Sequence, residues 1–163
     1  MDNYKATVVI PTYNRLQELK LTLDSLVLQK CSYPFEVIVA DDGSYENTKA
    51  VIDEYIGKLN IRYVFQEEKG FRAGTARNMG IALVKGEICI FIDNGVLFHS
   101  CAIKSHIEVH EKEIKPCLVS GYVHGFEVEK DKGGEFQEIV ISYSTDEAIG
   151  ILSSKGILDI REE

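Results

Sequence analysis

The chain has 163 residues, 45% of them hydrophobic, with 26 acidic against 18 basic side chains and a formal net charge of −8. That length buries one good core without a second full domain, and the negative charge excludes a general affinity for nucleic-acid phosphates while leaving room for one small polyanion. Cysteines 31, 89, 101 and 117 form no Cys-x-x-Cys pair, the N-terminus lacks a leader pattern, and no apolar run nears the roughly 20 residues of a membrane span, so reduced thiols, no zinc site and a cytoplasmic location are expected.

Ala6 to Ile10 reads as a buried strand, and Leu16, Leu19, Leu23, Leu26 and Val27 then recur at helical spacing. Between them, Pro11 is expected to end the strand because it has no N–H, and Thr12, Tyr13 and Asn14 form a loop whose polar groups suit a base or ribose edge. The competing reading is a loop with a helix cap. Phe35 to Ala40 is the second strand, and it stops on Asp41-Asp42-Gly43-Ser44. A carboxylate there suits a base N–H or a ribose hydroxyl, although Asp and Ser also bond their own backbone in ordinary turns. A helix with Val51, Ile52, Tyr55, Ile56 and Leu59 inward follows, and Ile61 to Phe65 is the third strand.

After a polar loop from Gln66 to Phe71, a small-residue helix runs toward Lys85-Gly86, where the glycine suits the position just past a helix end. Arg72 at its start offers a cation to a diphosphate, or else is a solvated surface arginine. The strand Ile88 to Ile92 ends on Asp93-Asn94-Gly95, where one carboxylate offers a ligand to Mg²⁺ or Mn²⁺ and Asn-Gly is also a strong turn dipeptide. Further on, Ile103 to Lys112 reads as a helix, Cys117 to Val123 and Glu138 to Ser142 as strands, Lys130 to Gly134 as a hairpin loop, and Thr145 as the cap of a last helix. His106 and His110 are four apart but lack a third ligand, so surface or packing roles are expected.

Repeated βα units with nearly unbroken Val and Ile strands predict a mostly parallel, helix-covered α/β sheet with its ligand at the carboxyl ends of the strands. Both acid-tipped strands end there.

Taken in order, Val8 to Arg15, Val37 to Ser44, Gly70 to Asn78, and Gly86-Glu87-Ile88 running into Asp93 resemble the nucleotide-sugar half of a family 2 glycosyltransferase of the GT-A fold. The resemblance covers about residues 6 to 125. It implies inverting transfer from a nucleotide diphosphate sugar, UDP-linked, to an unnamed acceptor. It further implies that Pro11, Thr12, Tyr13, Asn14, Asp41 and Asp42 hold base and ribose, that Arg72 lies by the diphosphate, and that Asp93 holds Mg²⁺ or Mn²⁺. Gly95 stands where the family's second metal-binding acid is expected, and the Glu-Asp pair that often carries the catalytic base is missing, so no catalytic residue is assigned. Asp146-Glu147 has the reverse order and reads as the first turn of a helix. A single domain over 1–163, cut short before the acceptor-binding half, is the expectation. A non-catalytic nucleotide-sugar-binding or regulatory module is the alternative, and a nucleotidyltransferase ranks below it because no glycine-rich basic loop follows the first strand.

Overall fold

Every residue of β1 (Ala6–Thr12) is buried because it is an inner strand of a four-stranded sheet. It pairs in parallel with β2 (Phe35–Asp41) on one side and with β4 (Ile88–Phe91) on the other, and β3 (Ile61–Phe65) pairs in parallel with the far edge of β2. The computed structural model describes residues 3–122 and 143–155. Two compact units divide the chain, Met1–Ile114 with the sheet and Lys115–Glu163 with one described helix.

Alternation along the strands sends Ala6, Val8, Ile10, Val37 and Val39 into one cluster. That cluster also takes Leu19, Leu23 and Leu26 of α1 (Leu16–Val27), Val51 and Ile52 of α2 (Thr48–Asp53), and Ile103 and Ile107 of α4 (Ala102–Lys112). Fully burying a side chain of this size stabilises the fold by about 1.5–3 kcal/mol. The opposite face is covered by α3 (Ala73–Ile81), whose small residues let it lie close. A Cβ at Gly80 would come within 2.5 Å of Val9 Cγ1. The result is the helix–sheet–helix layering and mostly parallel sheet of the GT-A fold class expected from the sequence.

Several boundaries differ from expectation for identifiable reasons. Pro11 does not end β1: it pairs with Ala40 of β2, while the ladder to β4 closes at Val9↔Phe91, so its missing N–H falls beyond the last β4 partner. α2 stops at Asp53 and passes into i→i+3 turns that still bury Tyr55 but leave Ile56 65% exposed. α3 ends at Ile81, not at Lys85, and Gly86 serves close approach instead of a helix end: a Cβ there would meet Ala6 C at 2.5 Å and Thr7 N at 2.6 Å. Its N–H donates to Thr7 Oγ1 at 2.9 Å.

The expected strand from Cys117 is absent over its described part, residues 117–122, where no ladder includes it and Leu118 is 96% exposed. Val123, the candidate strand at 138–142 and the loop at 130–134 lie outside the described residues. The last helix, α5 (Thr145–Ser154), is capped by Ser144 and not by Thr145. Among the described residues no helix is long and apolar enough to cross a membrane.

Candidate functional site

The strand order β3-β2-β1-β4 means that the chain builds outward in one direction from β1 and then returns to its other side. Such a reversal opens a crevice at the carboxyl ends of the strands. Asp41-Asp42 ends β2 and Asp93 follows β4, so the two acids stand two strand spacings apart, about 10 Å.

Asp41 is fully buried and faces inward. Its Oδ1 accepts Ser44 N–H at 2.8 Å and its Oδ2 accepts the Tyr63 hydroxyl at 2.8 Å. Burial and that bond to Asp41 push the Tyr63 phenol well above its ordinary pKa, so it remains a donor. Asp41 therefore shapes the turn that presents its neighbour. Asp42, 4% exposed, accepts Arg72 N–H on Oδ2 at 2.6 Å, while its Oδ1 takes the Gln66 amide and lies 3.8 Å from the Arg72 guanidinium. Arg72 also donates to the Glu67 carbonyl, and its Nε is buried with no partner. A buried orphan N–H of a guanidinium costs free energy that a ligand acceptor would recover. Gly43 makes the approach of the next loop feasible, with φ +92° and a would-be Cβ only 2.4 Å from Glu68 N.

The loop after β1 is stitched to the loop after β2. Asn14, at φ 48°, donates its backbone N–H to Ser44 Oγ at 2.9 Å and accepts Tyr45 N–H on Oδ1 at 3.0 Å. Tyr13 beside it is 44% exposed. Thr12 is buried and its Oγ1 accepts the Asn94 amide at 2.7 Å, which joins β1 to the end of β4 across the crevice. Pro11 lies inside the strand, one step below this rim.

Asp93 has a 71% exposed side chain and is ion-paired with Arg77 of α3. One helix thus engages both acids: its N-cap residue Arg72 on Asp42, and Arg77 further along on Asp93. Gly95 has φ +100°, a backbone region that favours glycine, and its N–H donates to Thr22 Oγ1 at 3.0 Å. The position a Cβ would take there lies 3.4 Å from the Arg15 guanidinium.

The expected Mg²⁺ or Mn²⁺ finds no free carboxylate at Asp93, which is paired with Arg77. A divalent cation of this kind is held by one or two carboxylates, with waters and substrate phosphates supplying its other oxygens. The corner's two accessible carboxylates among the described residues, Asp93 and Glu18, are each bound to a guanidinium, and the Asn94 Oδ1 is buried. Among the described residues no group of three His, Cys, Asp or Glu side chains is arranged to hold a metal. His106, on α4, has its pKa lowered by burial and by His110 and takes no part in this corner.

A sequence model of the family described as "Glycosyl transferase family 2" matches residues 7–151. The chain belongs to glycosyl transferase family 2. A validoxylamine A glucosyltransferase from Streptomyces hygroscopicus subsp. jinggangensis (strain 5008) is 36% identical over 144 residues, 88% of this chain and 34% of that protein. A hyaluronan synthase from Pasteurella multocida is 48% identical over 87 residues, 53% of this chain and 9% of that one. Among solved structures, residues 1–349 of Staphylococcus aureus TarS in complex with UDP superpose with a TM-score of 0.61 at 29% identity, covering 66% of this chain and 32% of that TarS fragment. The chain spans about a third or less of the length of these relatives.

Sequence reasoning gave no role to Tyr63, Gln66, Arg77 or Asn94, which the structure places around the acids of the candidate site. Gln66 carried a signal only through pairing: Asp41 is in register with Phe65, which brings Gln66 beside Asp42.

Proposed function

We propose that this chain is the donor-binding part of an inverting glycosyltransferase that takes a nucleotide diphosphate sugar, UDP-linked, and passes the sugar to an acceptor. The observation that carries this reading is the coupling of two strand-end acids by α3, with Asp42 and Arg72 at one end and Asp93 and Arg77 at the other. The spacing of about 10 Å suits a nucleoside at the first and its diphosphate at the second. Thr12, Tyr13 and Asn14 form the rim that faces the nucleoside, and Pro11 and Asp41 hold that rim in place. The unpartnered Arg72 Nε awaits the diphosphate oxygen nearest the nucleoside, which keeps Arg72 by the diphosphate. UDP in the TarS complex supports the choice of nucleotide.

A second reading, a nucleotide-sugar-binding module without turnover, draws on one specific observation. Glu147 of the only adjacent Asp/Glu pair in the described α5 is a cap: its Oε2 accepts the Ser144 N–H and hydroxyl, and those bonds lower its pKa. It is thus not placed as a general base.

UDP at a hundredfold excess over its Kd is expected to stabilise the fold by about 2.7 kcal/mol, a melting shift of roughly 5–10 °C. GDP is expected to shift it less. No shift with any nucleoside diphosphate would contradict the donor-site reading. Sugar transfer from a UDP-sugar by a chain extended to the length of its relatives separates enzyme from binding module.

A further inference from the structure

The β4 corner is built around guanidinium groups. Its two accessible acids among the described residues, Asp93 and Glu18, are each occupied, by Arg77 and by Arg15. At position 95, φ +100° favours glycine, and the Arg15 guanidinium stands 3.4 Å from where a Cβ would be. Arg15 is held there by its NH1, which donates to the Asn94 carbonyl at 3.4 Å, and by an ion pair with Glu18. The remaining side-chain oxygen, Asn94 Oδ1, is buried beneath the Nδ2 bonds to Thr12 Oγ1 and the Arg15 carbonyl.

A divalent cation entering this corner would have to displace Arg77 from Asp93 or Arg15 from Glu18 and then sit beside both guanidinium groups. Like charges at a few ångströms repel, and the two carboxylates are already matched by the two guanidinium groups. An arginine held on an acid still has N–H groups left, because the guanidinium carries five donors in a rigid fork and stays charged at any working pH. It is therefore able to turn a second edge toward phosphate oxygens while the first rests on Asp93.

We propose that Arg77, anchored on Asp93 and assisted by Arg15, faces the donor's diphosphate in place of a divalent cation, so that this chain binds a nucleotide diphosphate without metal. The inference rests on the nucleotide-sugar reading above. It assigns Arg77 to the diphosphate and makes Asp93 the residue that positions it.

The test is an NMR titration of the chain with UDP and uridine, and with GDP and guanosine, each in EDTA and in Mg²⁺. Calorimetry with Mn²⁺ replaces NMR where the paramagnetic ion broadens signals. The expected result is equal nucleoside diphosphate affinity, within about twofold, in EDTA and with either metal. Arg77→Ala is expected to weaken the diphosphate by about tenfold to hundredfold while leaving the nucleoside unchanged, as loss of a charged hydrogen-bond donor predicts. Arg77→Lys should recover part of the loss, and Arg15→Ala should give a smaller loss of the same kind. Arg77 is about one-third exposed, so its replacement leaves the core intact, which the unchanged nucleoside affinity would verify. Diphosphate affinity that rises tenfold or more with Mn²⁺ or Mg²⁺, or that ignores Arg77→Ala, overturns the inference and leaves the nucleotide site standing. Absence of binding by all four probes in every condition removes the site and the inference together.

Discussion

Glu36→Ala is expected to lower folding stability by about 3 kcal/mol, although Glu36 lies at the end of the sheet away from the candidate site. Its side chain is 2% exposed at the amino end of β2. Oε1 accepts the Thr7 hydroxyl at 2.8 Å and Lys85 N–H at 3.0 Å, and Oε2 accepts Arg62 Nε at 3.1 Å and its NH2 at 2.7 Å. The Thr7 hydroxyl oxygen in turn accepts Gly86 N–H, so one carboxylate ties β1, β2, β3 and the segment before β4 together. Removing it leaves the buried Thr7 hydroxyl proton without its acceptor, at about 1–3 kcal/mol, takes one acceptor from the Lys85 N–H, and strips Arg62 of its ion pair while its bond to the Leu83 carbonyl remains. Arg62 is about one-third exposed and recovers part of its solvation, which keeps the total near the lower end for a broken buried pair. Urea unfolding measures the effect, and a loss below about 1 kcal/mol would contradict this account of the network. Glu36 is separated from Asp42 by six residues of strand, about 20 Å, so UDP affinity of the folded variant should not change.

Asp42→Asn is expected to weaken UDP binding by about tenfold to hundredfold, the effect of losing a charged acceptor. The same change also costs stability. Asp42 bonds Arg72 N–H and the Gln66 amide, so it organises the start of α3 as well as offering a carboxylate edge. Asparagine keeps one acceptor oxygen and loses the charge, and a stability loss of about 1–2 kcal/mol follows. Asp42→Ala adds the loss of the remaining acceptor and is expected to be worse on both counts. The affinity comparison is therefore made on Asp42→Asn, with its unfolding curve in hand. Unchanged UDP affinity in the folded variant would remove Asp42 from the nucleoside site.

The inner strands β1 and β2 were legible because they are buried on both faces and so appear as nearly unbroken apolar runs, while the edge strands β3 and β4 are only half-buried. β3 matches its expected limits, Ile61 to Phe65, and the acid tips of β2 and β4 fall at the carboxyl ends as the pattern requires. Pro11 misled because the rule that proline ends a strand depends on which neighbour its missing N–H would have faced. That depends on strand order, which local sequence does not encode. Gly86 misled for a similar reason: a glycine after a helix and a glycine under a crossing strand look alike until Ala6 is brought to within 2.5 Å of its would-be Cβ. The Glu36–Arg62 pair was not legible either, since a glutamate at a strand start gives no sign that an arginine from β3 will meet it in a buried setting. At the site, Asp42, Arg72 and Asp93 were each visible as residues with chemistry. Their coupling through α3 was not, because the ion pair of Arg77 with Asp93 joins positions sixteen residues apart.

The most direct measurement is the map of backbone amide shifts on adding UDP to the isotopically labelled chain. The largest changes are expected at the carboxyl end of the sheet, in Thr12 to Asn14, Asp42 to Ser44, Gln66 to Arg77 and Asp93 to Gly95. The opposite end carries a shallow cleft of about 320 Å³ lined by Cys31, Tyr33, Phe35, Lys58 and Asn60. Changes centred on that cleft, or none at saturating UDP, would contradict the assignment of the acid-tipped strands as the nucleotide site.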